Sequence, residues 1–469
     1  MLPLNAEDEA SLRSQLFRLA TPAMLHGIVI TVVFFTDRLI LGQYSESAIS
    51  SMGISGPLLW SVFSVFGGFL PGIVATAGRA VGRQSWDEAA AIARGALAFA
   101  VFTGLLITLV GQLTAAPVAY LLVDSDPASR EVARQAIPYL RICYAIAPIY
   151  MFSMACATVL QASGDTRTPM FAGLVSGLVN LGISWGLVFG HGPFPELGVT
   201  GAAIGTACAF SAEALIMGTV LLRGTSRVPM HLPVPWSTAM AGLRNALWVA
   251  RPSYMEKLIF HAGFMTFTYQ VGQLGPHPMA AHQAVLAVEA ISFVAAEAFG
   301  VAAGALVAQK LGAGRKDLAW RASVLSVRYA SLMLLVVSVV FVAVPSWLVS
   351  PFLESGPAMQ LAVQCLFAAA LAQPLMAFSD ALSGVLRGAG DTRTPMYTAI
   401  IGPVIVRLSA CWLLAYVFEF GLVGIWMGST IDWAVRSLWL GWAWRRRAWL
   451  DTEVRSLSNP VAPLVADVG

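Results

Sequence analysis

Asp37, Glu256, Glu289, Glu297, Asp380 and Asp432 all fall inside long apolar stretches of this 469-residue chain. An ionisable group at bilayer depth costs at least a few kcal/mol, so each one calls for a partner or a task. Asp37 lies about 28 Å along its helix from Arg18, toward the outer side, at about 1.5 Å per residue. It either pairs with Arg38 at the outer interface or alternately binds a cation or a proton. Glu256 and Asp380 fall at similar depth in the inner part of the bilayer, Asp380 seven residues before Arg387. Lys257 bridges them into a structural cluster or snorkels away. Near mid-membrane, either Arg407 with Asp432 or Asp432 with Arg436 at i+4 makes an ion pair. That leaves Glu297 as the mid-depth acid for a cationic ligand, with Glu289 rotated from it by about 80° and nearer the outside. His26 reads as hydrogen-bonded structure in preference to a proton carrier, and Glu213 has no evident role.

The elements that must position these groups are membrane helices. Of the residues, 57% are apolar and 11% charged, with a mean hydropathy of +0.73. A soluble protein carries about 25% charged residues. The formal charge of +3 and the scattered arginines argue against nucleic acid as a partner. The five cysteines have no ligand spacing, so neither a metal nor a disulfide framework is expected. No HExxH or Ser/His arrangement points to an enzyme, and no cofactor is implied. Residues 1–14 are polar and acidic, so no cleavable signal peptide is expected.

The chain is built twice from one unit. VLQASGDTRTPM, Val159 to Met170, returns 226 positions later as VLRGAGDTRTPM, Val385 to Met396, with nine of the twelve identical. Pro22 and Asp87 match Pro252 and Asp317 at an offset of 230, which pairs His26 with Glu256. Apolar runs of about 20 residues predict twelve spans: 19–42, 53–78, 94–121, 137–162, 170–190, 198–222, 246–272, 280–308, 320–350, 360–386, 396–417 and 422–444. The expected fold is an all-α membrane protein whose two six-helix lobes are related by a pseudo-two-fold axis along the membrane normal. Residues 1–222 form the first lobe, 223–245 a cytoplasmic linker, 246–447 the second lobe and 448–469 a cytoplasmic tail. Lysine and arginine fall twenty to three on the side holding the N-terminus, which puts both termini in the cytoplasm. In the repeated loop, Gly164 and Gly390 end a helix in left-handed caps, and Thr168 and Thr394 cap the next helix, with Asp165 and Asp391 pairing with arginine or helix ends. Phenylalanine, tryptophan and methionine (24, 14 and 17) suit a flexible cavity for amphipathic organic cations.

The twelve spans and the doubled LQASGDTRTP and LRGAGDTRTP resemble the multidrug and toxic compound extrusion (MATE) family. TDRLILG (Thr36 to Gly42), LGVTGAA (Leu197 to Ala203), AAHQ (Ala280 to Gln283) and LGAGR (Leu311 to Arg315) extend the likeness along nearly the whole chain. The resemblance implies a multi-pass inner-membrane antiporter, with both termini cytoplasmic, that exports cationic or amphipathic compounds in exchange for Na⁺ or H⁺ by alternating access. Asp37 matches the family's helix-one acid and Asn180 a polar residue of the same site. Asp37, Asn180, Glu256 and Asp380 are then the expected ion- or proton-coupling residues, and Asp37, Glu256 and Glu297 line the substrate cavity. The chain departs from the pattern at three places. Glu256 follows Pro252 by one helical turn where the family's acid usually follows by two, Asp380 lies about one turn nearer the LRG motif than the family's helix-ten Asp, and Ser184 stands where some members carry Asp. A monomer is expected. A lipid-linked precursor flippase of related two-lobed architecture is the alternative, although it would call for a strongly cationic cavity.

Overall fold

The computed structural model describes residues 6–124, 126–224 and 226–457. Among these, twelve long helical elements follow one another: α1 Ala6–Tyr44, α2 Glu46–Gly82, α3 Trp86–Leu121, α4 Pro127–Ala162, α5 Arg167–Phe189, α6 Val199–Leu222, α7 Trp236–Gly272, α8 Pro276–Gly312, α9 Lys316–Ala343, α10 Pro357–Ala389, α11 Arg393–Val417 and α12 Gly421–Arg445. Ten are long and apolar enough to cross a membrane, counting as one the two segments of α4, which bend by 54° around Ile146. The other two, α7 and α12, span a similar length but carry Arg251, Glu256 and Lys257, and Asp432 and Arg436.

Several limits differ from the sequence expectation. α1 starts well before residue 19, and α7 starts at Trp236, so residues 236–245, read as linker, are helical. α9 stops at Ala343, and Pro345–Val349 forms a separate short helix, because a proline cannot continue the hydrogen-bond ladder. The linker that remains is held by one side chain. Arg94 Nη2 donates to the carbonyls of Met230 and Leu232 at 2.6 and 2.7 Å, and Nη1 to Val234 at 3.3 Å.

The two lobes exchange their first helices. Leu12, Leu16, Leu19 and Ala20 of α1 are buried in the core of the second lobe with Phe299, Leu306 and Ala319. Ala239 and Leu243 of α7 reciprocally pack on Gly95 of the first lobe, and Ala250 joins its core. In both helices the exchanged segment runs up to the proline, Pro22 or Pro252, that the repeat places at equivalent positions.

This exchange lies at the end of the molecule where α2 and α8 finish, and most hydrogen bonds between the lobes lie there too. Arg79 Nη2 donates to the carbonyls of Ala389 and Thr452 at 2.7 and 2.9 Å, and Gln309 Nε2 to Ala162 at 2.8 Å. A side chain at Gly82 would meet the Gln309 carbonyl at 2.0 Å, so glycine is what lets α2 and α8 touch backbone to backbone. Beyond Asp451 the chain crosses from the second lobe to the first, where Ser456 Oγ and the Leu457 N–H donate to the two oxygens of Glu88 at 3.1 and 3.0 Å. Nearer the middle, Ser61 meets His261 at 3.1 Å and Trp60 packs edge-on against Phe260 and Phe264.

Candidate functional site

The repeated loop places α5 and α11 identically. Gly164 and Gly390 take φ of +91° and +92°, as expected for left-handed caps. The cap of the following helix is the aspartate, not the expected threonine. Asp165 Oδ1 accepts from the N–H of Arg167 and Thr168, and its Oδ2 from Thr168 Oγ1 at 2.6 Å; Asp391 accepts from the N–H of Thr394 and from its Oγ1 at 2.6 Å. A carboxylate reaches the exposed N–H groups of a first turn and also complements the helix dipole.

Anchored this way, α5 presents Asn180 and Ser184 to Asp37 inside the first lobe. Asp37 is 1% exposed and is not paired with Arg38. Its Oδ1 accepts from Asn180 Nδ2 at 3.2 Å and Ser184 Oγ at 3.3 Å, and its Oδ2 from Thr206 Oγ1 at 2.6 Å and Tyr139 OH at 3.4 Å. α1, α4, α5 and α6 therefore converge on one carboxylate. Gly205 makes this possible, since a Cβ there would fall 2.1 Å from Ser184 Oγ. All four partners are neutral donors, which suits an ionised carboxylate. Asn180 Oδ1 is buried beside it without a partner. The carboxyl group at the centre of the lobe is thus surrounded by dipoles and has no basic partner among the described residues. A single positive charge, a proton or a small cation taking oxygen ligands, would neutralise it. Asp37 and Asn180 were singled out from the sequence; Thr206 and Tyr139 were not. The repeat offered a signal for Thr206, because Gly205-Thr206 returns as Gly428-Ser429 at an offset of 223, but none for Tyr139.

The second lobe keeps the frame and reverses the chemistry. Gly428 lies against Cys411 as Gly205 lies against Ser184, so position 411 corresponds to 184 and Arg407 corresponds to Asn180. The helix-one offset of 230 places Phe267 opposite Asp37, and the Arg407 guanidinium lies 5.5 Å from that ring. Asp432, fully buried, accepts from Arg407 Nε at 2.9 Å and from Arg436 Nε and Nη2 at 2.9 and 2.8 Å, so both anticipated ion pairs form at once. Glu289 is buried nearby, within electrostatic reach of Arg407 and 3.2 Å from Gln373 Nε2. Asp432 is thus already answered by two bases, and Glu289 by a neutral amide with Arg407 within electrostatic reach.

The remaining acids lie toward the first lobe. Glu256 is ion-paired with Arg387, a partner the sequence reading did not assign, so the expected cluster with Lys257 and Asp380 does not form by direct contact. Asp380 is half-buried with no hydrogen bond among the described residues, and has Arg436, Arg387, Glu297 and Lys257 within electrostatic reach. Glu297 is exposed at the middle of α8 and acts electrostatically on Tyr150 of the first lobe as well as on Asp380 and Arg387 of the second. It faces the space between the lobes. The five cysteines are free, and no group of His, Cys, Asp and Glu among the described residues is arranged to hold a metal ion.

Two exchanged six-helix bundles around buried carboxylates define a membrane transporter rather than an enzyme. A family model described as MatE matches residues 22–185 and 252–413, one stretch in each lobe, and the chain belongs to that family. It is 27% identical over 458 residues to the probable multidrug resistance protein NorM of Thermotoga maritima, covering 96% of this chain and 97% of that one. It is 24% identical to the uncharacterized transporter YisQ of Bacillus subtilis, covering 93% and 95% of the two chains. Two solved structures share the fold at 17% identity, covering 94% of this chain and 97% of theirs. They are a MATE protein in complex with MaL6, at a TM-score of 0.85, and an outward-facing multidrug resistance MATE transporter of the MOP superfamily, at 0.83.

Proposed function

We propose that the protein is an ion-driven antiporter of the inner membrane, with both termini cytoplasmic, that exports amphipathic organic cations in exchange for Na⁺ or H⁺ and works as a monomer. The observation that carries this reading is the Asp37 centre, a buried carboxyl group with four neutral donors and no counter-charge among the described residues. Burying an unpaired charge costs several kcal/mol. A bound coupling ion relieves that cost, so occupancy favours whichever lobe arrangement encloses the ion best. Asn180, with its unpartnered Oδ1, and Thr206 complete the ion's oxygen ligands.

Asp380 and Glu297 address the space between the lobes and form the recognition side for a cationic substrate. Arg387 holds Glu256 in the present arrangement, so Glu256, expected from the sequence to share in coupling, enters only where that pair parts. The lobes meet mainly at the Arg-rich end, which supports reading this state as closed toward the cytoplasm. Rocking about the exchanged helices would expose the other side. Differential affinity of ion and substrate for the two arrangements is all the exchange requires.

The test is dye efflux from proteoliposomes under separate Na⁺ and pH gradients. Wild-type protein drives efflux under one of them, and Asp37→Asn inserts and folds but drives none. Full efflux in that variant would remove Asp37 from the mechanism.

A further inference from the structure

We propose that the His26–Glu213 pair is a second proton-binding site, separate from Asp37 and confined to the first lobe by the chemistry of its base. His26 Nε2 and Glu213 Oε1 lie 2.9 Å apart between α1 and α6, and the residues are 8% and 4% exposed. The pair is not saturated. His26 Nδ1 and Glu213 Oε2 have no hydrogen-bond partner among the described residues, and neither is sealed from solvent. A proton can therefore arrive at one atom and be shared across the short contact.

The repeat shows why this site belongs to one lobe. Position 26 corresponds to Glu256 at the offset of 230, and position 213 to Arg436 at the offset of 223. Each lobe thus places one acid and one base on the same two helices, with the polarity reversed. In the second lobe the bases that pair with the acids are Arg387, Arg407 and Arg436, and a guanidinium stays charged at any physiological pH. Imidazole is the side chain whose ordinary charge change falls between about pH 5 and 8. One added proton takes the first-lobe pair from a net charge of −1 to zero, and the bases of the second-lobe pairs cannot make that change.

The neighbours of the pair are few. On α5, Gly173 lies against the imidazole ring and brings no charge; on α8, Val294 packs on Gly27 beside it. On α4, Tyr150 and Cys156 are within electrostatic reach of Glu213, and Tyr150 is also within reach of Glu297 on α8. The charged residues of α2, Glu46 and Arg79, stand near its two ends, and Tyr329 of α9 packs on Phe17, more than two turns before His26. Asp37 is about 16 Å further along α1 at about 1.5 Å per residue. Glu213 and Glu297 thus approach Tyr150 from opposite lobes. Protonating the pair removes negative charge from the first-lobe side of the space where a cation would be held.

The inference rests on the antiport reading for what the proton drives, but the site itself is testable without transport. Infrared difference spectra of the full-length protein in lipid bilayers, recorded between about pH 8 and pH 5, should contain an imidazole change and a carboxylate change. Both should be lost in His26→Gln and in Glu213→Gln and kept in Asp37→Asn. In efflux assays His26→Gln should still pump, with the dependence on pH over that interval flattened. A purely structural histidine would leave that profile intact. Spectra unaltered by either substitution would overturn the proposal. If both variants fail to fold, ring-nitrogen NMR of ¹⁵N-histidine-labelled wild-type protein decides: an imidazole that titrates beside a carboxylate supports the site, and no titrating buried imidazole overturns it. A wild-type protein that shows the spectral change but pumps under neither gradient sinks the antiport reading and leaves the proton site standing.

Discussion

Thr206 Oγ1 lies 2.6 Å from Asp37 Oδ2, the shortest of the four contacts around that carboxylate. A hydrogen bond to a charged group contributes about 1.5–3 kcal/mol, so Thr206→Val should change the apparent affinity for the coupling ion by about tenfold or more. The sign identifies the ion. Losing an oxygen ligand weakens Na⁺ binding, whereas losing a donor to the anion strengthens the hold on a proton. The ion-concentration dependence of efflux reads the sign, and Thr206→Ser should restore wild-type behaviour.

Asp432 is the carboxylate shared by two guanidiniums, those of Arg407 and Arg436. Asp432→Asn would leave both with a neutral partner, and removing one member of a buried ion network costs about 3–5 kcal/mol. Thermal unfolding in detergent should show a large drop in stability. Arg407→Met, which leaves the Asp432–Arg436 pair in place, should cost clearly less. Equal losses in the two variants would show that Asp432 is not the member on which both arginines depend.

The contact between α2 and α8 at Gly82 has no room for a methyl group, because the new Cβ would meet the Gln309 carbonyl at 2.0 Å. Overpacking of this kind costs about 1–3 kcal/mol. Gly82→Ala should part the lobes at that end, lowering thermal stability and raising the labelling rate of a cysteine introduced there. Gly53→Ala, with nothing within 4 Å, serves as the control and should change neither.

Glu297 is exposed at mid-helix, and Coulomb attraction across a partly wet space amounts to about 1–4 kcal/mol at 4 Å. Glu297→Gln should weaken binding of a lipophilic cation such as tetraphenylphosphonium by about tenfold. A neutral dye of similar size should bind as before. Isothermal titration of the reconstituted protein with each compound measures the difference, and equal weakening would exclude a charge-specific role.

Part of this was legible in the residues because it depends on local chemistry. A run of about 20 apolar residues must span as helix, and a glycine ahead of GDTRTP's aspartate permits the left-handed turn that ends α4 and α10. In that same loop Asp165 meets the helix end as expected, but the cap falls to it and not to Thr168 three residues on, since either side chain can reach first-turn N–H groups and only the backbone path chooses. The bend of α4 at Ile146 and the extension of α1 back to Ala6 were not visible either. The early part of α1 is held by Leu12 and Leu16 packing in the opposite lobe while Arg13 and Ser14 stay exposed, a pairing that no local pattern announces.

The register of α11 illustrates the limit. Its residues Ile401–Arg407 form a π-turn, which absorbs one extra residue. The repeat offset is 226 at Asp165 and Asp391 but 227 at Ser184 and Cys411, where Gly205 and Gly428 touch them. That single residue puts Arg407, not Val406, opposite Asn180.

The sequence by itself determined the duplication, the membrane helices and the isolation of Asp37 in apolar surroundings, because hydrophobic length and internal likeness are properties of the chain alone. Only the tertiary structure decided which acids stay unanswered. Arg387 takes Glu256 across 131 positions, Arg407 and Arg436 take Asp432, and His26 finds Glu213 across 187, while Asp37 receives only neutral donors. Charge compensation acts over a few ångströms in space, and packing distant helices together sets those distances.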